Sequence, residues 1–120
     1  MIEGSCHCGA VRWVFDGIPD TLTDCNCSVC RRIGGLWAYG TVANVLVSTA
    51  PDATITYVQG DKVLAIHSCK ACGCTTHWVS LAPEDGDWRI AVNMRMADPS
   101  DFAAIRVRHF DGADNWTFVD

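Results

Sequence analysis

Eight of the 120 residues are cysteines, and they fall into three groups: Cys6 and Cys8 in CHCG, Cys25, Cys27 and Cys30 in CNCSVC, and Cys69, Cys72 and Cys74 in CKACGC. Thiolates grouped this closely are ligands suited to zinc. In Cys69-Lys70-Ala71-Cys72-Gly73 the two-residue gap followed by glycine is a zinc knuckle: the turn amides point at the sulfurs, and glycine supplies the left-handed residue that closes the turn. A closed tetrahedral site needs four ligands, so the knuckle requires a second pair from elsewhere in the chain. Cys6 and Cys8 are the expected donors, because a one-residue gap in an extended strand puts both side chains on one face. Cys25, Cys27 and Cys30 are then left as a three-thiol set. Three protein ligands with an open position is the arrangement of catalytic zinc, whereas a fourth ligand, Cys74 or a histidine, would make the second site structural as well. The spacing leaves both readings open.

Cys74 lies two residues past Cys72, a tether too short to give it much reach toward another metal, so burial as a small apolar side chain is preferred over ligation of the second group. His67 and His77 flank the third group and read as strand or supporting histidines while enough cysteines are at hand. His7 and His109 offer less. Disulfides are disfavoured: the opening MIEGSCHCG lacks the basic and apolar regions of an export signal, which points to a reducing, cytoplasmic setting.

The elements that must hold these groups are mostly strands. A composition of 49% hydrophobic and 19% charged residues excludes a disordered chain and suits one domain over residues 1–120. The net charge of -5 argues against a nucleic-acid partner, and no apolar run reaches the roughly 18 residues a membrane span needs. Val11, Trp13 and Phe15 alternate as in a half-buried strand, as do Ile55 and Tyr57. Further apolar runs at 63–66, 77–81, 88–94 and 105–110 are bounded by turn residues. Helix is limited to a turn or two after Cys27, ended by Gly34 and Gly35, and another opening at Asp98-Pro99. The class is all-β, with five Trp and four Phe expected to supply the core.

CHCGAV, CNCSVCRR, CKACGCTTHW and the closing VRHFDG, in that order and separation, together resemble the glutathione-dependent formaldehyde-activating enzymes, whose domain is shared with centromere protein V. The resemblance covers almost the whole chain. It implies a zinc-stapled fold of several small antiparallel sheets, a structural zinc on Cys6, Cys8, Cys69 and Cys72, and a catalytic zinc on Cys25, Cys27 and Cys30.

The activity so implied is a carbon-sulfur lyase type: glutathione and formaldehyde are joined to S-hydroxymethylglutathione, the metal turning a thiol of pKa about 8.5 into a thiolate beside the aldehyde. Glutathione carries two carboxylates, and the cations nearest in sequence are Arg31, Arg32 and Lys70, of which Arg31 is the favoured contact. Trp37 and Tyr39 alternate after Gly34-Gly35 and could wall a pocket, although aromatic residues at strand period are more often core. Two other readings stand beside this one: a related zinc enzyme acting on another small thiol or electrophile, and a zinc-stapled binding module without chemistry.

Overall fold

The computed structural model describes residues Met1–Asp120. Eleven strands, two α-helical turns and one 3-10 turn run in the order β1 (Ile2–Ser5), β2 (Val11–Phe15), β3 (Thr21–Cys25), α1 (Cys30–Ile33), β4 (Trp37–Thr41), β5 (Val45–Thr49), β6 (Thr54–Tyr57), β7 (Leu64–Cys69), β8 (Thr75–Ser80), β9 (Arg89–Asn93), the 3-10 turn (Met94–Met96), α2 (Pro99–Phe102), β10 (Arg106–Asp111) and β11 (Thr117–Phe118). Period-two patterning sets the first of them: Val11, Trp13 and Phe15 of β2 are buried, while Arg12 between them is exposed. The two α-helical turns lie where cap residues place them. α1 ends at Gly34, and Asp98 caps α2 by accepting from the Ser100 amide at 2.9 Å, with Pro99 in the first helical position.

Strands β1, β2 and β5 form an antiparallel three-stranded sheet, and the other eight form a second sheet in the order β11-β10-β3-β4-β9-β8-β7-β6. The all-β expectation holds, with the strands gathered into two sheets and one pair, β3 with β10, running parallel. Ile2, Trp13, Phe15 and Val45 of the small sheet meet Leu22, Ala38, Ile90 and Val92 of the large one in the main core. A smaller cluster of Trp37, Ile66, Trp78 and Ala91 sits on the large sheet under Val29, Cys30 and Ile33. Burial of each such large apolar side chain contributes about 1.5–3 kcal/mol.

The aromatic residues divide between two duties. Trp13, Trp37, Trp78 and Phe15 are buried, but Trp88 is 42% and Trp116 71% exposed, which corrects the expectation that all five Trp and four Phe build the core. No helix is long and apolar enough to cross a membrane.

Candidate metal centres

The first centre forms where two hairpin turns meet. CHCG is the turn between β1 and β2 and CKACG the turn between β7 and β8, so each sheet contributes one. In both, the carbonyl of the leading cysteine accepts from the glycine amide, Cys6 from Gly9 at 3.0 Å and Cys69 from Gly73 at 2.9 Å. Gly9 and Gly73 stand at φ +83° and +80°, the left-handed region that a side chain would strain. Cys6 and Cys8 therefore lie in a turn, not in the extended segment the spacing suggested. The turn brings them together all the same: their sulfurs are 3.7 Å apart, and Cys8 Sγ is 3.6 Å from Cys69 Sγ.

All four sulfurs, that of Cys72 included, lie within 4.8 Å of one another. Thiolates at about 2.3 Å from zinc in tetrahedral array stand about 3.8 Å apart, so this group fits the ion. Backbone amides support the charge: Val11 N–H donates to Cys6 Sγ at 3.3 Å, and the amides of Cys74 and Cys8 draw the Cys72 thiol down to about 5.

Cys74 stands outside both thiol groups. It packs beside Cys6, Val11 and Cys69, and its carbonyl accepts from the Cys69 amide at 2.9 Å. Cys74→Ala is accordingly expected to retain every equivalent of zinc that the parent protein binds, measured by elemental analysis after gel filtration. Loss of one equivalent from a folded variant would make Cys74 a ligand.

The second group is built from the end of one strand and the start of one helix. Cys25 closes β3, Cys27 lies in the loop and Cys30 opens α1; their sulfurs too lie within 4.8 Å of one another. The Cys27 amide donates to Cys25 Sγ at 3.5 Å and the Cys30 amide to Cys27 Sγ at 3.4 Å. Burial pushes the Cys30 thiol up, and so do the neighbouring Cys27 and Cys25 thiols. Cys27 moves the other way: burial raises it, but hydrogen bonds led by the Cys30 amide bring it below the usual thiol range. Three crowded thiolates repel, and a dication is what such a donor set is suited to hold.

The last hairpin closes over this group. Parallel pairing of β10 with β3 puts Phe110 beside Cys25. In the following turn a Cβ on Gly112 would lie 2.8 Å from Cys25 Sγ, so only glycine fits there. Asp111 fixes the turn by accepting from Asn26 Nδ2 at 3.1 Å and from Asn115 Nδ2 at 3.0 Å, and Asn26 Oδ1 accepts from the Ala113 amide at 3.0 Å. Asn26, between two of the cysteines, thus ties their loop to the far end of the chain. Sequence reasoning passed over it, since its partners lie 85 and 87 residues away.

The three sulfurs open into a cleft of about 380 Å³ with a mainly apolar wall: Trp37, Tyr39 and Trp78 from the large sheet, Phe110, Trp116 and Phe118 from the last hairpin. Arg89 is its cation. The guanidinium lies over the rings of Tyr39 and Trp78, 5.8 and 5.6 Å from their centroids, and gives one Nη1 hydrogen bond to Glu84 at 3.0 Å. Of the cations considered from sequence, Arg31 and Lys70 are exposed, Arg32 donates to the Ser28 carbonyl at 2.7 Å, and none lines the cleft. No motif marks Arg89; only the pairing of β9 between β4 and β8 brings it there. Trp37 both joins the sheet core, at 1% exposure, and walls the cleft.

The histidines take no part in either thiol group. His67 and His77 face each other across β7 and β8 with rings stacked at 4.5 Å, and each Nδ1 meets a threonine hydroxyl, that of Thr54 or Thr76. Burial, followed by the neighbouring His67, pulls His77 down to about 3. It is neutral at any ordinary pH.

A two-sheet β fold carrying two cysteine groups able to hold metal ions defines the class of this protein. The family described as glutathione-dependent formaldehyde-activating enzyme matches residues 1–110, and the chain belongs to that family. A Halomonas elongata protein bearing the family's name is similar at 34% identity over 77 residues, which is 63% of this chain and 45% of that protein. The match thus spans less than half the length of that relative. A crystal structure of a Rhodobacter sphaeroides protein is similar with a TM-score of 0.68 at 26% identity, over 88% of this chain and 99% of that one.

Proposed function

We propose that residues 1–120 act as one domain that catalyses the reversible addition of a small thiol to an aldehyde, a carbon-sulfur lyase-type reaction. Glutathione and formaldehyde are the pair that the family description suggests. The observation that carries this reading is the placement of three converging thiols on the wall of a mainly apolar cleft that also holds Arg89.

In this reading Cys6, Cys8, Cys69 and Cys72 hold a structural zinc, and Cys25, Cys27 and Cys30 hold a second one with a position open toward the cleft. Zinc bound there supplies a thiolate from an incoming thiol at neutral pH. The chain's own residues do the rest. The amides of Cys27 and Cys30 steady the ligand charge. The aromatic wall brings two small reactants together, which for well-oriented pairs is worth up to about 7–11 kcal/mol. Arg89 inside the cleft and the exposed Arg31, outside its lining, are the two cations for the two glutathione carboxylates. Persistence of seven ligand thiols calls for a reducing compartment such as the cytoplasm.

The test compares zinc-loaded protein with chelator-treated protein in the formation of S-hydroxymethylglutathione, followed by proton NMR above the uncatalysed rate. Acceleration is expected only with the loaded protein. Equal rates with and without metal would leave a zinc-stapled binding module instead.

A further inference from the structure

The aromatic wall of the cleft is far larger than formaldehyde, two heavy atoms in size, can use. Six aromatic side chains, Trp37, Tyr39, Trp78, Phe110, Trp116 and Phe118, surround the space beside the three thiols. Three of them leave much of their surface to water: Tyr39 at 43%, Trp116 at 71% and Phe118 at 39% exposure. Apolar surface gathered around a concave site marks a place that an apolar ligand covers. Glutathione covers little of that ring surface, since its carboxylates are matched to Arg89 and Arg31 while its ammonium and two peptide groups lose hydration against such a wall.

The wall is also held in place at a cost. Trp116 stands at φ +56°, a conformation rare for a bulky residue, and its amide donates to the Asp111 carbonyl at 2.7 Å. Phe110 packs edge-to-face with Trp116 and with Phe118, both at 5.0 Å between centroids. The turn that fits over Cys25 through Gly112 is therefore the same turn that presents Trp116 to the cleft.

Resting on the thiol-addition reading above, we infer that the aldehyde partner of this site carries an apolar, aromatic-sized body, the exposed rings of the wall receiving that body while the carbonyl carbon faces the thiols. The reaction stays balanced without an oxidant or reductant. The thiol sulfur bonds to the carbonyl carbon, the carbonyl π pair passes to oxygen, and that oxygen takes the proton the thiol gave up, leaving a hemithioacetal.

The experiment gives zinc-loaded protein and glutathione either formaldehyde or phenylacetaldehyde, and follows each hemithioacetal proton by NMR. Binding of the unreactive analogue 2-phenylethanol is read separately from tryptophan fluorescence. Phenylacetaldehyde is expected to show at least a tenfold higher kcat/KM than formaldehyde, and 2-phenylethanol to compete with it. Trp116→Ala removes an exposed ring and leaves no internal cavity, so the variant tests the wall without unfolding the core. It should lower kcat/KM for phenylacetaldehyde at least tenfold relative to that for formaldehyde, and weaken 2-phenylethanol binding in step. Preference for formaldehyde, or an unchanged ratio in Trp116→Ala, overturns the inference while thiol addition itself stands. Binding of 2-phenylethanol that depends on Trp116, with addition to neither aldehyde, instead overturns the thiol-addition reading and upholds the apolar selectivity of the cleft.

Discussion

Cys69→Ser is expected to yield a chain that neither keeps metal at the first centre nor melts cooperatively. Cys69 is 1% exposed, at the end of β7, with its sulfur 3.6 Å from that of Cys8. A serine there puts a poor zinc ligand into a buried position. Structural zinc on cysteine sites contributes apparent binding free energies of about 10–16 kcal/mol, against net stabilities of about 5–15 kcal/mol for whole domains. Even a partial loss therefore removes most of the margin. The two turns concerned belong to different sheets, so the damage should spread to the main core, where Trp13 and Phe15 depend on the sheets staying packed. Circular dichroism melting with zinc analysis checks this: a soluble Cys69→Ser protein with the parent melting temperature and full zinc content would remove the first centre from the structure's supports.

Cys27→Ser should separate stability from activity. Cys27 is half-buried in the loop between β3 and α1, outside the main core cluster. The substitution should leave the strand pairings intact, retain one equivalent of zinc, and abolish thiol-aldehyde addition. The loss should exceed the roughly 10–100-fold that follows from removing a supporting hydrogen bond around a metal, because here a ligand itself is gone. Zinc content, melting temperature and hemithioacetal formation measured on one preparation decide it. A Cys27→Ser protein that unfolds as badly as Cys69→Ser would mean that the second metal is structural.

What could be read in the sequence was what depends on near neighbours. Alternation marked β2, and it marked β6 through Ile55 and Tyr57, yet in β6 those residues are 56% and 59% exposed. Period two identifies a strand without saying which face the rest of the chain will cover. The cysteine groups were legible because ligand spacing is local: Cys25, Cys27 and Cys30 converge as one set, and Cys6 and Cys8 meet Cys69 and Cys72 in the other, with Cys74 outside both. The geometry of Cys6 and Cys8 was not, since a one-residue gap fits a strand and a turn equally well. Arg89, Asn26 and Gly112 could not be singled out. Each acts through a strand pairing or loop contact whose partner is remote in sequence, and no local pattern records such a partner. Arg31 drew notice by adjacency to Cys30, and adjacency on a helical turn sent its side chain outward.

The parallel pairing of β3 with β10 also gives the two centres different birth dates. The first needs nothing beyond the turn that follows β7, whose sulfurs meet across 61 residues. The second acquires its covering turn only when Asn26 meets Asp111, 85 residues later. At about 5–20 residues per second of synthesis, Cys25, Cys27 and Cys30 wait several seconds for that cover. Until then they are open to oxidation and to the wrong metal. The set of three thiols that is complete first along the chain is thus covered last, by a turn made some 85 residues after it.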